Sequence, residues 1–287
     1  MRGIFRTGRA GHTAGRPAKA TAKVVARSAA LAAMTLATAC GTAAPPSHGS
    51  SPAPPRPVAP VPVPSGEAAR LPLATTFTSL RGAPQDPDPF GTETGLVAHP
   101  AVTQVIYARP GGPPVAVLPV TELGSPTWVP VVQTQPGWER VLLPSRPNRS
   151  TGWIYTAGGG LQDASSAYQV RIGLAARRLT VLDAGRTLGS WTVAVGAPST
   201  PTPAGRTFLL ASLAPSHPTY SPLILPLGTH SATLDTYGGG PGTVALHGWP
   251  VKTVFGQEVS HGCVRVPAAA LRLLSRIPLG SFVMITS

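Results

Sequence analysis

A chain of 287 residues is longer than one average domain without clearly being two. Charged residues make up only 11%, while 35 prolines and 32 glycines favour strands, turns and extended linkers over long helices. The formal charge of +13 does not mark a nucleic-acid binder: seven of the 23 basic residues precede Cys40, where no acid occurs, and the remaining 16, set against 10 acids, are scattered without a basic helix or a finger motif.

The first segment in chain order reads as an address. Arg2 to Arg27 is basic and acid-free, and an apolar run from Ala29 to Ala37 follows. Small residues then lead into Cys40-Gly41. A basic n-region, a short apolar run and a small-residue approach define a signal peptide over 1–40. The run is too short to cross a bilayer, which takes about 20 apolar residues. The approach to Cys40 resembles a bacterial lipobox, although Ala37 stands where that family usually has Leu. The resemblance implies a lipidated Cys40 at the mature N-terminus, and hence a cell-envelope protein held to the outer face of the cytoplasmic membrane. An ordinary cleaved signal is the alternative reading. Residues 41–98 are expected as a Pro-rich linker, its first part especially poor in anything that buries a core. About twenty residues of polyproline II would reach roughly 60 Å. With Cys40 lipidated, Cys263 has no disulfide partner, and an unpaired thiol in an exported protein points to reactivity.

From 99 to 160 short strands are predicted at 101–107, 115–118, 127–133, 138–142 and 152–155, punctuated by Gly, Pro and Asn. The run Gly137-Trp138-Glu139-Arg140-Val141, followed by Gly152-Trp153-Ile154 after a turn, resembles a bacterial SH3-like module. That resemblance implies a small β-barrel that either binds the wall or only buttresses its neighbour. Trp128, Trp138 and Trp153 are expected as core.

From 165 to 287 strands are predicted at 168–174, 178–182, 188–195, 208–211, 244–247 and 282–286. Asp183-Ala184-Gly185 serves as a hairpin turn. One helix is expected, with Pro267 as its first residue, continuing over 268–276 and turning Leu271 and Leu274 inward. His99, His217 and His230 are expected as surface or packing residues; for Tyr237 a core or surface place is expected, with lining of the cleft as the alternative.

The chemistry concentrates in Val244-Ala245-Leu246-His247-Gly248 and Ser260-His261-Gly262-Cys263-Val264-Arg265. A cysteine nucleophile needs a base, since its free pKa is about 8.5. Histidine is the natural base near neutral pH. Glycine beside the cysteine lets the backbone turn so that N–H groups face a developing oxyanion. Twelve residues separate His247 from Ser260. This pattern resembles the L,D-transpeptidase (YkuD) catalytic domain, as do Thr202-Pro203-Ala204-Gly205 and the Gly238–Gly242 run. Where relatives often carry a polar residue after the His-Gly pair, this chain has Trp249-Pro250.

The resemblance implies a mainly β fold: a transpeptidase-type β-sandwich with one short helix after the cysteine, beside the SH3-like barrel. It implies Cys263 as nucleophile, His247 as base and the Gly248 carbonyl as the group orienting the imidazole. Gly262 and Cys263 N–H groups would stabilise the oxyanion, His261 and Ser260 would shape the site and contact substrate, and Arg265 would brace the loop or touch substrate. The partners implied are peptidoglycan stem peptides and, through Cys40, the membrane. The implied reaction is 3→3 cross-linking through a thioester, with carbapenem sensitivity. L,D-carboxypeptidase action and a non-catalytic wall-binding lipoprotein are the alternatives. A papain-like wall peptidase is disfavoured because there Cys precedes His. No cofactor or metal is expected, since His247, His261 and Cys263 lack a further ligand and a recognisable zinc spacing.

Overall fold

The computed structural model describes residues 56–217 and 220–287. The expected signal peptide, the lipobox with Cys40 and the first part of the linker lie outside the described residues. A one-turn helix α1 (Ser65–Ala68) comes first. The strands β1 (Leu96–Pro100), β2 (Gln104–Tyr107) and β3 (Pro114–Leu118) follow. Next come the small hairpin β4 (Thr121–Glu122) and β5 (Ser125–Pro126), then β6 (Val129–Gln135), β7 (Trp138–Leu142), β8 (Thr151–Tyr155) and β9 (Leu161–Ser165). They pair in the order β3-β2-β8-β7-β6-β1-β9, with β4 and β5 apart, and no pairing between β3 and β9 is found among the described residues. Trp138 and Trp153 are buried, with Trp138 edge-on to Tyr107 at 5.3 Å, so these aromatics fill space rather than form a platform.

The linker expected over 41–98 is corrected by the packing of its second half. Pro72 and Ala74 lie along β3, where the Ala74 N–H donates to Val117 O at 2.8 Å and the Val117 N–H to Pro72 O at 2.9 Å. Ala74 and Leu80 enter a core with Ile106, Leu118 and Val141. Asp86 accepts two hydrogen bonds of 2.6 Å from the Arg206 guanidinium, both side chains being buried. Few of these residues are strongly apolar. What orders them is that their backbone groups complete a sheet edge and their one buried carboxylate meets a cation.

The strands of the second segment are β10 (Tyr168–Gly173), β11 (Arg178–Asp183), β12 (Arg186–Thr192), β13 (Val195–Gly196) and β14 (Gly205–Phe208). β15 (Ile224–His230), β16 (Thr243–Gly248), β17 (Glu258–Ser260) and β18 (Val264–Val266) follow. Helix α2 (Ala268–Leu274) and β19 (Phe282–Thr286) complete the chain. Pro267 caps α2 rather than starting it, with extended backbone angles. One sheet runs β12-β11-β10-β19-β14 and a second β15-β16-β18, with β13 paired to β17. Alternate residues supply the core between them: Val170, Ile172, Val181, Val283 and Ile285 from one sheet, and Leu225, Leu227, Val244, Leu246, Val264 and Val266 from the other. Leu271 and Leu274 of α2 join this core, each such side chain contributing about 1.5–3 kcal/mol on burial.

The two segments do not divide at 160–165 as two separate cores. Phe208 and Leu210, which follow the Thr202–Gly205 loop, insert into the core built by β2, β3, β6 and β7. His230 is fully buried, and its Nε2 donates to Thr76 O at 2.8 Å. Burial pushes that imidazole down to about 4, so it stays neutral.

Candidate active site

β16 and β18 run parallel with Leu246 opposite Val264 and His247 opposite Arg265. Leu246 and Val264 point into the core. The period of two therefore turns Ala245, His247, Cys263 and Arg265 to the opposite face. That face floors a cleft of about 430 Å³, lined also by Tyr220, Tyr237, Trp249, Ser260 and His261. The sequence-predicted pair Cys263 and His247 thus share one cleft, although fifteen residues separate them in the chain.

His247 is 6% exposed, and its Nδ1 donates to the Gly248 carbonyl at 2.8 Å. The bond fixes the tautomer with a free lone pair on Nε2, which a base requires. The Gly248 N–H is held in turn by Ser221 Oγ at 2.7 Å. Tyr220 meets the imidazole edge-on at 5.0 Å. Burial pushes His247 below the ordinary imidazole range; the Gly248 bond opposes that shift and the Arg265 charge adds to it. Burial pushes the Cys263 thiol up, against a backbone hydrogen bond from Ala245 and the Arg265 charge. Both net shifts favour the uncharged forms, so the resting pair at neutral pH is thiol and imidazole.

The loop before Cys263 is braced from below. Gly262 has a φ of 111°, which an L side chain rarely adopts. Its carbonyl accepts from Thr202 Oγ1 at 2.8 Å, and the same hydroxyl accepts the Gly196 N–H at 2.9 Å. Gly196 is glycine because a Cβ there would stand 2.3 Å from Thr200 O. The Thr202–Gly205 turn noted in the sequence thereby acquires a mechanical role. Ser260, buried, donates to Cys263 O at 2.5 Å and accepts the Gly262 N–H at 3.1 Å. Ser260 is accordingly an internal brace. The Gly262 N–H, expected as an oxyanion donor, is engaged within the loop, which leaves the Cys263 N–H as the remaining donor of that pair.

The other expected site residues lie at the rim. His261 is exposed, and its Nδ1 meets the Tyr237 hydroxyl at 3.2 Å. Tyr237, expected as a packing or surface residue, is 54% exposed and lines the cleft. Arg265 stacks on Trp249 with its guanidinium carbon 3.7 Å from the ring centroid. Tyr220 carried no recognised signal in the sequence, whereas Thr202 was noted only as part of a turn and Trp249 only as a departure from the family pattern. Thr76, Phe77 and Leu123 from the N-terminal segment also line the cleft. Among the described residues no cluster of three or more His, Cys, Asp or Glu is placed to hold a metal.

The flap carrying Tyr237 is gripped by the turn after β7. Arg146 donates to Ser231 O at 3.1 Å, Leu234 O at 3.0 Å and Pro241 O at 2.9 Å. Asn148 exchanges two hydrogen bonds with the His230 backbone at 2.7 and 2.8 Å. Arg146→Ala releases three carbonyls from a charged donor. Amides of residues 231–242 should then exchange hydrogen about tenfold faster or more, with the rest of the chain unchanged. Unchanged exchange in this flap would show that Arg146 does not hold it.

The family model described as YkuD, L,D-transpeptidase catalytic domain, matches residues 167–285. No curated protein matches the chain. Among solved structures it resembles L,D-transpeptidase 3 from Mycobacterium tuberculosis in complex with a faropenem-derived adduct, at 14% identity over 49% of this chain and 75% of that one, with a TM-score of 0.36. The catalytic domain of the E. faecium L,D-transpeptidase is similar at 18% identity, over 41% of this chain and 95% of that one, with a TM-score of 0.33. An L,D-transpeptidase from Mycobacterium smegmatis is similar at 17% identity, over 55% and 99%, with a TM-score of 0.35. The segment that matches the L,D-transpeptidase catalytic-domain model, residues 167–285, contains both His247 and Cys263.

Proposed function

We propose that this protein forms 3→3 cross-links between peptidoglycan stem peptides through a thioester on Cys263. The observation that carries this reading is the pairing of Cys263 and His247 on one cleft face, with His247 Nδ1 tied to Gly248 O. His247 takes the thiol proton as sulfur attacks the carbonyl before the terminal D-Ala. The Cys263 N–H faces the oxyanion, and the proton passes to the departing amine. The side-chain amine of a neighbouring stem then attacks the thioester and expels the Cys263 thiolate, which recovers a proton through His247. Lipidation at Cys40, export to the cell envelope and a buttressing SH3-like module belong to the same proposal.

The test is incubation of the full chain with purified tetrapeptide stems, followed by mass spectrometry. A cross-linked dimer that has lost one D-Ala is the expected product. Free tripeptide alone identifies a carboxypeptidase instead. Unchanged substrate with folded protein refutes both and leaves the non-catalytic wall-binding reading.

A further inference from the structure

Arg265 is a cation in the cleft without a side-chain hydrogen bond or ion pair among the described residues. Its Nε is buried and makes no hydrogen bond. The ion pairs among the described residues are Arg177–Glu258 and Arg206–Asp86, so its guanidinium meets no carboxylate. Among the described residues no Asp or Glu lines the cleft. The charge is held by the face of Trp249, 3.7 Å away, and that contact uses none of the in-plane N–H donors. A buried N–H left without an acceptor is costly unless something fills it, and the planar fork, half-buried here, fits a carboxylate through two parallel bonds.

The position of Arg265 limits which carboxylate can reach it. It lies beside His247 across the parallel ladder and two residues beyond Cys263. Two strand residues span about 6.6 Å. A group held there is within one residue of a carbonyl under attack by Cys263. In a stem peptide such a carboxylate has two sources: the free C-terminus of the leaving residue, and the carboxylate next to the acceptor amine.

We propose that Arg265, backed by Trp249, is the binding site for a substrate carboxylate adjacent to the reacting centre. The idea rests on Cys263 being the acyl-accepting residue. It makes the site selective for the end of a peptide over its middle, because an internal residue offers an amide there. It also separates two uses of one cation: attraction for the Cys263 thiolate, which every substrate would feel, and recognition, which only a carboxylate would.

The test is equilibrium binding, so it stands whether or not cross-linking is observed. The full-length chain carrying Cys263→Ala is titrated calorimetrically with a tetrapeptide stem ending in carboxylate and with its terminal carboxamide. A second arm uses acceptor stems with the carboxylate beside the amine free or amidated. Amidation is expected to weaken binding at least tenfold in one arm, and that arm names the source. In the additional variant Arg265→Gln the difference should shrink to less than threefold, with Arg265→Lys intermediate. The acid-against-amide comparison needs no change at Arg265 and survives any folding defect of those variants. Equal binding of acid and amide in both arms overturns the proposal. Turnover without acid-against-amide discrimination overturns it while leaving the transpeptidase reading intact, whereas discrimination without turnover does the reverse.

Discussion

Cys263→Ala should lower acyl transfer by about 10⁴-fold or more, and His247→Ala by about 10²–10⁴-fold, with the fold retained in each case. The first removes the atom that becomes acylated. The second removes the base whose lone pair is held ready by the Gly248 carbonyl. Intact-mass analysis with a carbapenem checks both without a natural substrate. One adduct should form on the wild type, none on Cys263→Ala, and formation should be slow on His247→Ala. The pH profile carries further information. A His pKa lowered in the folded protein means the base is neutral above that lowered value and is lost as pH falls through it. The acid limb of activity should therefore lie below about 6.5, the ordinary imidazole value. The thiol is shifted the other way, so alkylation of Cys263 in His247→Ala should keep rising into the alkaline range. Turnover by folded Cys263→Ala above a small residual fraction, or an acid limb above 6.5, would sink the mechanism.

Asp86→Ala should destabilise the protein by about 3–5 kcal/mol, the usual cost of stranding one member of a buried ion pair. The Arg206 side chain is 5% exposed and that of Asp86 0%, so neither charge recovers water when its partner goes. The pair joins the segment before β1 to β14, whose last residue Phe208, with Leu210 beyond it, lies in the shared core. Chemical denaturation followed by tryptophan fluorescence measures the effect. The double change Asp86→Leu with Arg206→Met should recover much of the loss, because two apolar side chains of similar volume carry no desolvation penalty. A loss below about 1 kcal/mol for Asp86→Ala would mean that water reaches the pair.

Local pattern carried much of this fold. Trp138–Leu142 and Phe282–Thr286 are strands with the bounds their composition predicts. The Asp183–Gly185 turn joins β11 to β12 as expected, with Ala184 and Gly185 at positive φ. These features depend on neighbours one to four residues away, which the chain order displays directly. β15 was not legible in the same way, because Pro226, Gly228 and two polar residues interrupt its apolar pattern. It is a strand because Leu225 and Leu227 find a core and its backbone finds β16.

The division within the site follows the same physics. His247 and Cys263 were legible because a nucleophile and its base are scarce residue types in a recognisable spacing. The residues that tune them are common types whose meaning is spatial. Thr202 matters because two backbone groups from distant segments meet its hydroxyl, and Ser260 because it closes on its own loop. The sequence reading extended the Pro-rich linker over 41–98; only the edge of β3 and the Arg206 guanidinium, both brought there by the fold, make its second half part of the core. Arg265 is one arginine among 20 in the sequence. What singles it out is a parallel register that sets it beside His247, a tryptophan across its face and a cleft lining without a carboxylate. Each of these is a relation between segments far apart in the chain, which the tertiary structure alone decides.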